Sequence, residues 1–324
     1  MKKFNFIIFP TYMLSIILSL SSSSWMMIWM GLEINLLSFV FILIKPLTYY
    51  SLESTMKYFL IQSVGSLIFL LTISINMIYF NEMSTINAIL PPLALTLKSG
   101  MAPLHIWTPD ILEKFNYFSF LLFITMQKLV PLFILYSSWM SLTPWICVCN
   151  LIMGSIGGIT QSSIRKMVAF SSISNSGWMM MALSHSHFFF TLFFVIYFIT
   201  NMLVVIYMKK TQNKWLTQIK PHQTQEKMFF YTLMLSLSGM PPLLGFLPKW
   251  MVIKKISIHA PIICLTSILF SLFTLFFYIK CAITTMMKFS EAIKWKMKYP
   301  SIKKPFLFFL LMNMFSPLLF VLLT

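Results

Sequence analysis

Residues 95–109 read LTLKSGMAPLHIWTP: one lysine, one glycine and two prolines inside an otherwise apolar run. No helix continues undisturbed through this stretch. Pro103 and Pro109 carry no backbone N–H, and Gly100 favours a helix stop over a helix interior. Lys98 stands five residues before Pro103, where an apolar helix would otherwise be at its driest. The same frame, G-M-x-P-L-x-x-x-x-P, returns as GMPPLLGFLP at 239–248, with Lys249 directly after it.

Outward from these two stretches the chain is almost wholly apolar. Of 324 residues, 58% are hydrophobic and only 10% are charged. Soluble domains are roughly half apolar and a quarter charged, so this composition places the chain in a membrane. The expectation is an all-α integral membrane protein, a single membrane domain over 1–324. About 11 transmembrane helices are expected, near 4–20, 25–44, 58–80, 86–106, 115–136, 145–164, 167–183, 188–208, 228–253, 259–279 and 305–323. Most approach the ~20 residues that cross a bilayer core as helix. The fourth and ninth spans hold the proline frames and are expected to be the two broken ones.

The charge pattern agrees with that count. The formal net charge is +17. Nucleic-acid binders gather such charge on one solvated face, whereas here it falls between apolar runs. With these spans, nineteen of the 24 basic residues lie on the N-terminal side. Only Lys254 and Lys255 lie on the other, and Lys98, Lys128 and Lys249 fall inside spans. The N-terminus is therefore expected in the positive-inside compartment and the C-terminus opposite. The start, MKKFNFIIFP, runs straight into an apolar span and has neither a cleavage site nor an Arg-rich presequence. The 33 Phe and 27 Met, set against 9 Gly and the one arginine, Arg165, fit an AT-rich, organellar gene.

The two proline frames lie five spans apart. An odd number of spans inverts the second copy, and paired interrupted helices in inverted repeats mark transporter folds. The expected layout is a first inverted five-helix repeat over 4–136, a second over 145–279, and a C-terminal helix over 305–323.

Ionisable groups inside spans are the candidates for chemistry. Glu33, in WMGLEINLLSF, lies ~12 Å into its helix at 1.5 Å per residue. Lys98 and Lys128 are near mid-span, too deep to reach the surface by extending their stems. Each has a proline nearby, which frees a carbonyl for water or for the ammonium. A lysine held away from water can exchange its proton near neutral pH. Lys249 lies in the second half of a broken helix. His105, between two prolines, could relay a proton or simply pack. His185 and His187 read as solvated loop residues, and Asp110, Glu113 and Lys114 as a loop cluster. Cys147, Cys149, Cys264 and Cys281 read as small buried residues; no metal spacing, iron–sulfur ligand set or nucleotide loop is present.

Six stretches together carry a resemblance: WMGLEINLLSF (29–39), KYFLIQ (57–62), LKSGMAPLHIW (97–107), MQKLVP (126–131), RKMVAFSSI (165–173) and SGMPPLLGFLPKW (238–250). Over nearly its whole length the chain resembles the antiporter-like membrane-arm subunits of mitochondrial NADH:ubiquinone oxidoreductase (complex I), in their short animal form. The resemblance implies proton translocation through Glu33, Lys98, Lys128 and Lys249. It implies no cofactor in this chain, with NAD, FMN, iron–sulfur clusters and ubiquinone in partner subunits. Implied partners are neighbouring antiporter-like subunits, a small subunit beside Glu33 and accessory subunits, with no nucleic acid. The lysine-rich stretch 280–304 reads as a solvated linker or as a contact for acidic headgroups such as cardiolipin. The implied location is the mitochondrial inner membrane, N-terminus in the matrix and C-terminus facing the intermembrane space. One departure stands out: the family's S-S-I-x-H-x-G is here SSISNSG (171–177), with Asn175 at the histidine's place. A stand-alone cation/proton antiporter, or a purely structural membrane subunit, would share part of this pattern.

Overall fold

The structure is a computed structural model describing residues 2–45, 48–78, 84–212, 215–216, 224–241 and 243–287. The expected C-terminal span, 305–323, lies outside the described residues. The elements are α1 Lys2–Ser21, α2 Trp25–Ile44, α3 Tyr49–Ile78, α4 Ser84–Ser99, α5 Trp107–Lys114, α6 Tyr117–Ile124, α7 Met126–Ser138, α8 Thr143–Ile159, α9 Ile164–Leu183, α10 His187–Thr211, α11 Thr224–Ser238, α12 Phe246–His259 and α13 Pro261–Met287. Among the described residues β-structure is limited to one isolated bridge, Ser163 to Trp215. Among the described residues five stretches are long and apolar enough to cross a membrane: Trp25–Ile44, Tyr49–Ile75, Tyr117–Ser138, His187–Thr211 and Pro261–Thr284.

The proline frames end helices in the same way. After α4, Gly100 takes φ +67°, its N–H bonds to Leu97 O, and Met101 N–H bonds to Thr96 O. After α11, Gly239 takes φ +81°, its N–H bonds to Ser236 O, and Met240 N–H bonds to Leu235 O. This is the Schellman stop: two bonds reach back over the last turn, and the positive φ is one that glycine adopts without a Cβ penalty. The chain then runs irregularly through Pro103 before α5 begins at Trp107.

A third interruption was not expected. The 115–136 span divides at Thr125 into α6 and α7. Pro131 follows inside α7, where it leaves the Gln127 carbonyl, four residues back, without the bond it would accept. The Thr125 hydroxyl donates to Leu121 O at 2.7 Å, so its polar group is satisfied at the bend.

Two compact units divide the chain, Met1–Asn150 and Leu151–Thr324. In the first, an aromatic cluster forms the core. Phe39 of α2 packs edge-on to Tyr58 of α3 at 5.2 Å between ring centroids, and Trp107 of α5 edge-on to Phe123 of α6 at 5.6 Å. Each such pair contributes about 0.5–1.5 kcal/mol beyond its area. Tyr58 also stands 6.3 Å from Trp107 and 6.2 Å from Phe123 between ring centroids, which ties the short helices beyond the first break to α3 before it. The Asn150 side chain accepts from Ala102 N–H at 2.7 Å, which anchors the irregular stretch itself.

In the second unit α9 is buried on nearly every side although it carries Ser171, Ser172, Ser174, Asn175 and Ser176. The hydroxyls of Ser171, Ser172, Ser174 and Ser176 donate to carbonyls one turn back, at 2.6–2.9 Å, so they cost little in an apolar surrounding. Gly154 of α8 lets α9 approach, because a Cβ there would stand 2.5 Å from Ser174 N.

Gly100→Ala tests the helix stop. Positive φ alone costs about 1–2 kcal/mol for an L-residue, and the new methyl would meet Thr108 Cγ2. Thermal unfolding in detergent should show a clear loss of stability; an unchanged melting temperature would remove the role of Gly100 in the stop.

Candidate functional site

Lys98 lies in the last turn of α4, just before the first break, and is 6% exposed. Its Nζ is buried and makes no hydrogen bond. Gly65 of α3 faces its stem, and a Cβ there would stand 3.0 Å from Lys98 Cγ. The Gln62 amide, one turn earlier on α3, donates to Lys98 O at 2.8 Å. That bond caps one of the carbonyls that every helix end leaves open.

Glu33 is half-buried on α2. Its carboxylate acts on Lys98 electrostatically, but no ion pair within 4.0 Å joins them. Two residues on, Asn35 accepts from the Gln127 amide at 2.9 Å, which links α2 to α7. The next residue, Lys128, is 2% exposed and occupies the first turn of α7. Thus Lys98 sits at the negative end of one helix dipole and Lys128 at the positive end of another. An ammonium is stabilised at the first place and not at the second. His105 is buried in the irregular stretch, with its Nδ1 3.2 Å from Pro103 O.

In the second unit Lys249 occupies the first turn of α12 and is 7% exposed. Its Nζ donates to Ser238 O, at the end of α11, at 2.8 Å, and stands 5.8 Å from the centre of the Trp178 ring. The lysine therefore caps the helix end that precedes its own, the role Gln62 fills in the first unit. Beside it is a cavity of about 20 Å³, lined by Asn175, Tyr197, Thr200 and Ser236 among others, with room for one water. Asn175, the departure from the resembled motif, thus faces the same cavity as Lys249.

Other expected groups are placed differently. Asp110, Glu113 and Lys114 belong to α5 rather than to a loop. Lys114 reaches across to Glu53 of α3 at 2.7 Å, and Lys57 reaches the other oxygen of that carboxylate at the same distance. This group is partly exposed and joins two helices by their ends. His185 does lie in a loop, but its ring stands 5.6 Å from that of His259. Burial, then His259 and Lys255, lower its pKa below the usual histidine value. Sequence reasoning missed Gln62, Asn35 and Gln127 as supporting groups. The available signal was their place within the KYFLIQ, WMGLEINLLSF and MQKLVP stretches.

A helical membrane fold with lysines buried at helix breaks describes a class, and comparison with known proteins supplies the family. The family described as NADH:quinone oxidoreductase/Mrp antiporter, TM, matches residues 22–277. NADH-ubiquinone oxidoreductase chain 2 of Anopheles gambiae is 34% identical over 87% of this chain and 86% of its own length. The same-named chain of Oryzorictes hova is 31% identical, with 97% of each chain covered. A chain in the structure of respiratory complex I from Thermus thermophilus with bound aureothin shares the fold. Its TM-score is 0.75 at 19% identity, covering 86% of this chain and 69% of that one. The chain belongs to the NADH:quinone oxidoreductase/Mrp antiporter membrane family. Within that family, NADH-ubiquinone oxidoreductase chain 2 is the relative it matches over most of its length.

Gln62→Leu should leave the Lys98 carbonyl buried without its donor, at a cost of about 1–3 kcal/mol. A lower unfolding temperature with an unchanged helical circular-dichroism signal is the expected result; no change in melting would remove the capping role.

Proposed function

We propose that this chain is a core membrane-arm subunit of NADH:ubiquinone oxidoreductase, embedded as a multi-pass protein in the mitochondrial inner membrane. It carries an antiporter-like module that moves protons while electrons pass through partner subunits. Those partners would hold NAD, FMN, iron–sulfur clusters and ubiquinone. The observation that carries the reading is the Lys98 ammonium site: a buried, unpartnered Nζ at the open end of a broken helix. A purely structural role gives no reason to keep such a group in an apolar interior.

In this reading Glu33, Lys98, Lys128 and Lys249 are the proton-carrying groups, with His105 as a side relay. Quinone reduction in a partner changes the charge or position of Glu33. With Glu33 ionised and close, the proton stays on Lys98. A unit pair brought to ~4 Å is worth about 4 kcal/mol at an effective dielectric of 20, about a thousandfold in proton occupancy. When Glu33 is neutralised or withdrawn, Lys98 releases its proton toward Lys128. The opposite helix-end fields at these two lysines support a transfer in which charge does not rest equally on both. Lys249 then serves the second half of the chain.

The finer architecture belongs to the same proposal. It consists of about 11 spans in two inverted five-helix repeats, 4–136 and 145–279, and a C-terminal helix over 305–323. The matching Schellman stops at Gly100 and Gly239 support a repeat. The lysine asymmetry supports a matrix N-terminus and an intermembrane-space C-terminus. Neighbouring antiporter-like subunits, a small subunit beside Glu33, accessory subunits and acidic phospholipid such as cardiolipin are the expected contacts.

On a native gel stained for NADH dehydrogenase activity, the chain should co-migrate with the stained band; migration apart from it favours a stand-alone antiporter. Lys98→Met should abolish proton pumping coupled to NADH oxidation in reconstituted vesicles, and normal protons per NADH in that variant would sink the scheme.

A further inference from the structure

We propose that the cavity between the start of α9 and the end of α13 is a headgroup site for one acidic phospholipid, with Lys280 as its charged contact. The inference rests on reading the chain as embedded in a membrane, and it gives the acidic-lipid contact of that reading a place.

Residues 151–324 hold seventeen basic side chains and two acidic ones, Glu226 and Glu291. The carboxylates of this half are too few to neutralise its cations, so most of the counter-charge comes from outside it. The start of α9 concentrates the problem. Its first turn carries Arg165 and Lys166 and no acidic residue, although the N-terminus of a helix is its positive end. Ser163, at the N-cap, makes no cap bond with its side chain. Its hydroxyl is buried and, among the described residues, has no hydrogen-bond partner. An anion is stabilised at such a helix end, and two cations are not.

A cavity of about 280 Å³ opens at this place, lined by Gln161 and Ser162 ahead of α9 and by Lys280 near the end of α13. It lies within the second unit. Met167 and Phe277 give it an apolar wall, and Trp215 closes another side. Trp215 is held in place by its bridge to Ser163 and by the Leu216 N–H, which bonds to Ser162 O at 3.1 Å. Tryptophan, an apolar ring with one N–H, suits the level of lipid headgroups.

The lining selects the occupant. Gln161, Ser162 and Lys280 offer polar contacts and a positive charge, whereas Met167 and Phe277 offer only apolar surface. A free phosphate would use the first group and leave the second facing water. A phosphodiester headgroup with the start of its acyl chains uses both. Phe276 and Ile283 share the helix face of Lys280 and are exposed, so the chains have an apolar surface beside the headgroup. Lys280 is also the first lysine of the 280–304 stretch, and the site assigns that start to lipid.

The test uses the native assembly in nanodiscs of phosphatidylcholine that contain a little phosphatidylglycerol with a photoreactive diazirine near its headgroup. Labelled peptides are read by mass spectrometry after illumination. Expected is labelling of peptides 158–167 and 277–284, displaced by unlabelled phosphatidylglycerol but not by added phosphatidylcholine or inorganic phosphate. Lys280→Gln should lower the labelling about fivefold. Thr284→Trp, which fills the cavity from its lining, should abolish it. Lys209→Gln removes the same charge from an exposed position on α10 outside the cavity lining and should change nothing. Displacement by inorganic phosphate overturns the lipid in favour of a free anion. A carboxylate of a neighbouring subunit captured on Lys280 by a zero-length crosslinker overturns it in favour of a protein contact. Labelling that is absent, or equal in Lys280→Gln and Thr284→Trp, overturns the site itself. The same samples are run on the native gel: a chain labelled as expected but migrating apart from the NADH dehydrogenase band refutes the assembly and leaves the lipid site standing.

Discussion

The structure depends on how helix ends are closed inside an apolar interior. A helix leaves its last carbonyls without intrahelical partners, and no solvent meets them in the hydrocarbon region. Here two helices end at a glycine–proline frame, and both solve the problem locally first, by the bonds that bracket Gly100 and Gly239. The carbonyls still open are then met from elsewhere in the chain. Gln62 meets Lys98 O, and Lys249 meets Ser238 O. The same constraint that holds the breaks together thus places polar side chains and lysines at them.

Chemistry follows from that placement. A break exposes dipole ends, and dipole ends decide where a positive charge is tolerated. Lys98 falls at a carbonyl end, Lys128 at an amide end, and Lys249 reaches back to a carbonyl end from the helix that follows. Three lysines alike in sequence thereby occupy three distinct electrostatic settings. Glu33 acts on Lys98 electrostatically from outside contact distance. The serines of α9 extend the pattern: their hydroxyls are satisfied within their own helix, so a polar helix can be buried.

The matching of α4 and α11 ends and the unmatched bend at Thr125 teach different lessons. Both glycine–proline frames were readable because glycine and proline act through their own backbone, whatever surrounds them. The bend at Thr125 carries no such frame, and the apolar run around it was smooth enough to read as one straight helix. Where a helix bends without a glycine–proline stop is decided by what packs against it. The cluster at 110–114 misled for a similar reason. Three charged residues after a proline look like a loop, but a short amphipathic helix forms there once its apolar face can pack.

By itself the sequence determined the membrane class, the apolar helices, the two glycine–proline breaks and the identity of the buried lysines, because composition, proline and glycine act locally. Only the tertiary structure decided which groups meet: Gln62 with the Lys98 carbonyl 36 residues away, Gln127 with Asn35 across 92 residues, and Asn175 and Tyr197 at one cavity with Lys249. Such partners are chosen by helix packing, where a rotation of one helix moves every side chain to another neighbour. No local pattern carries that angle.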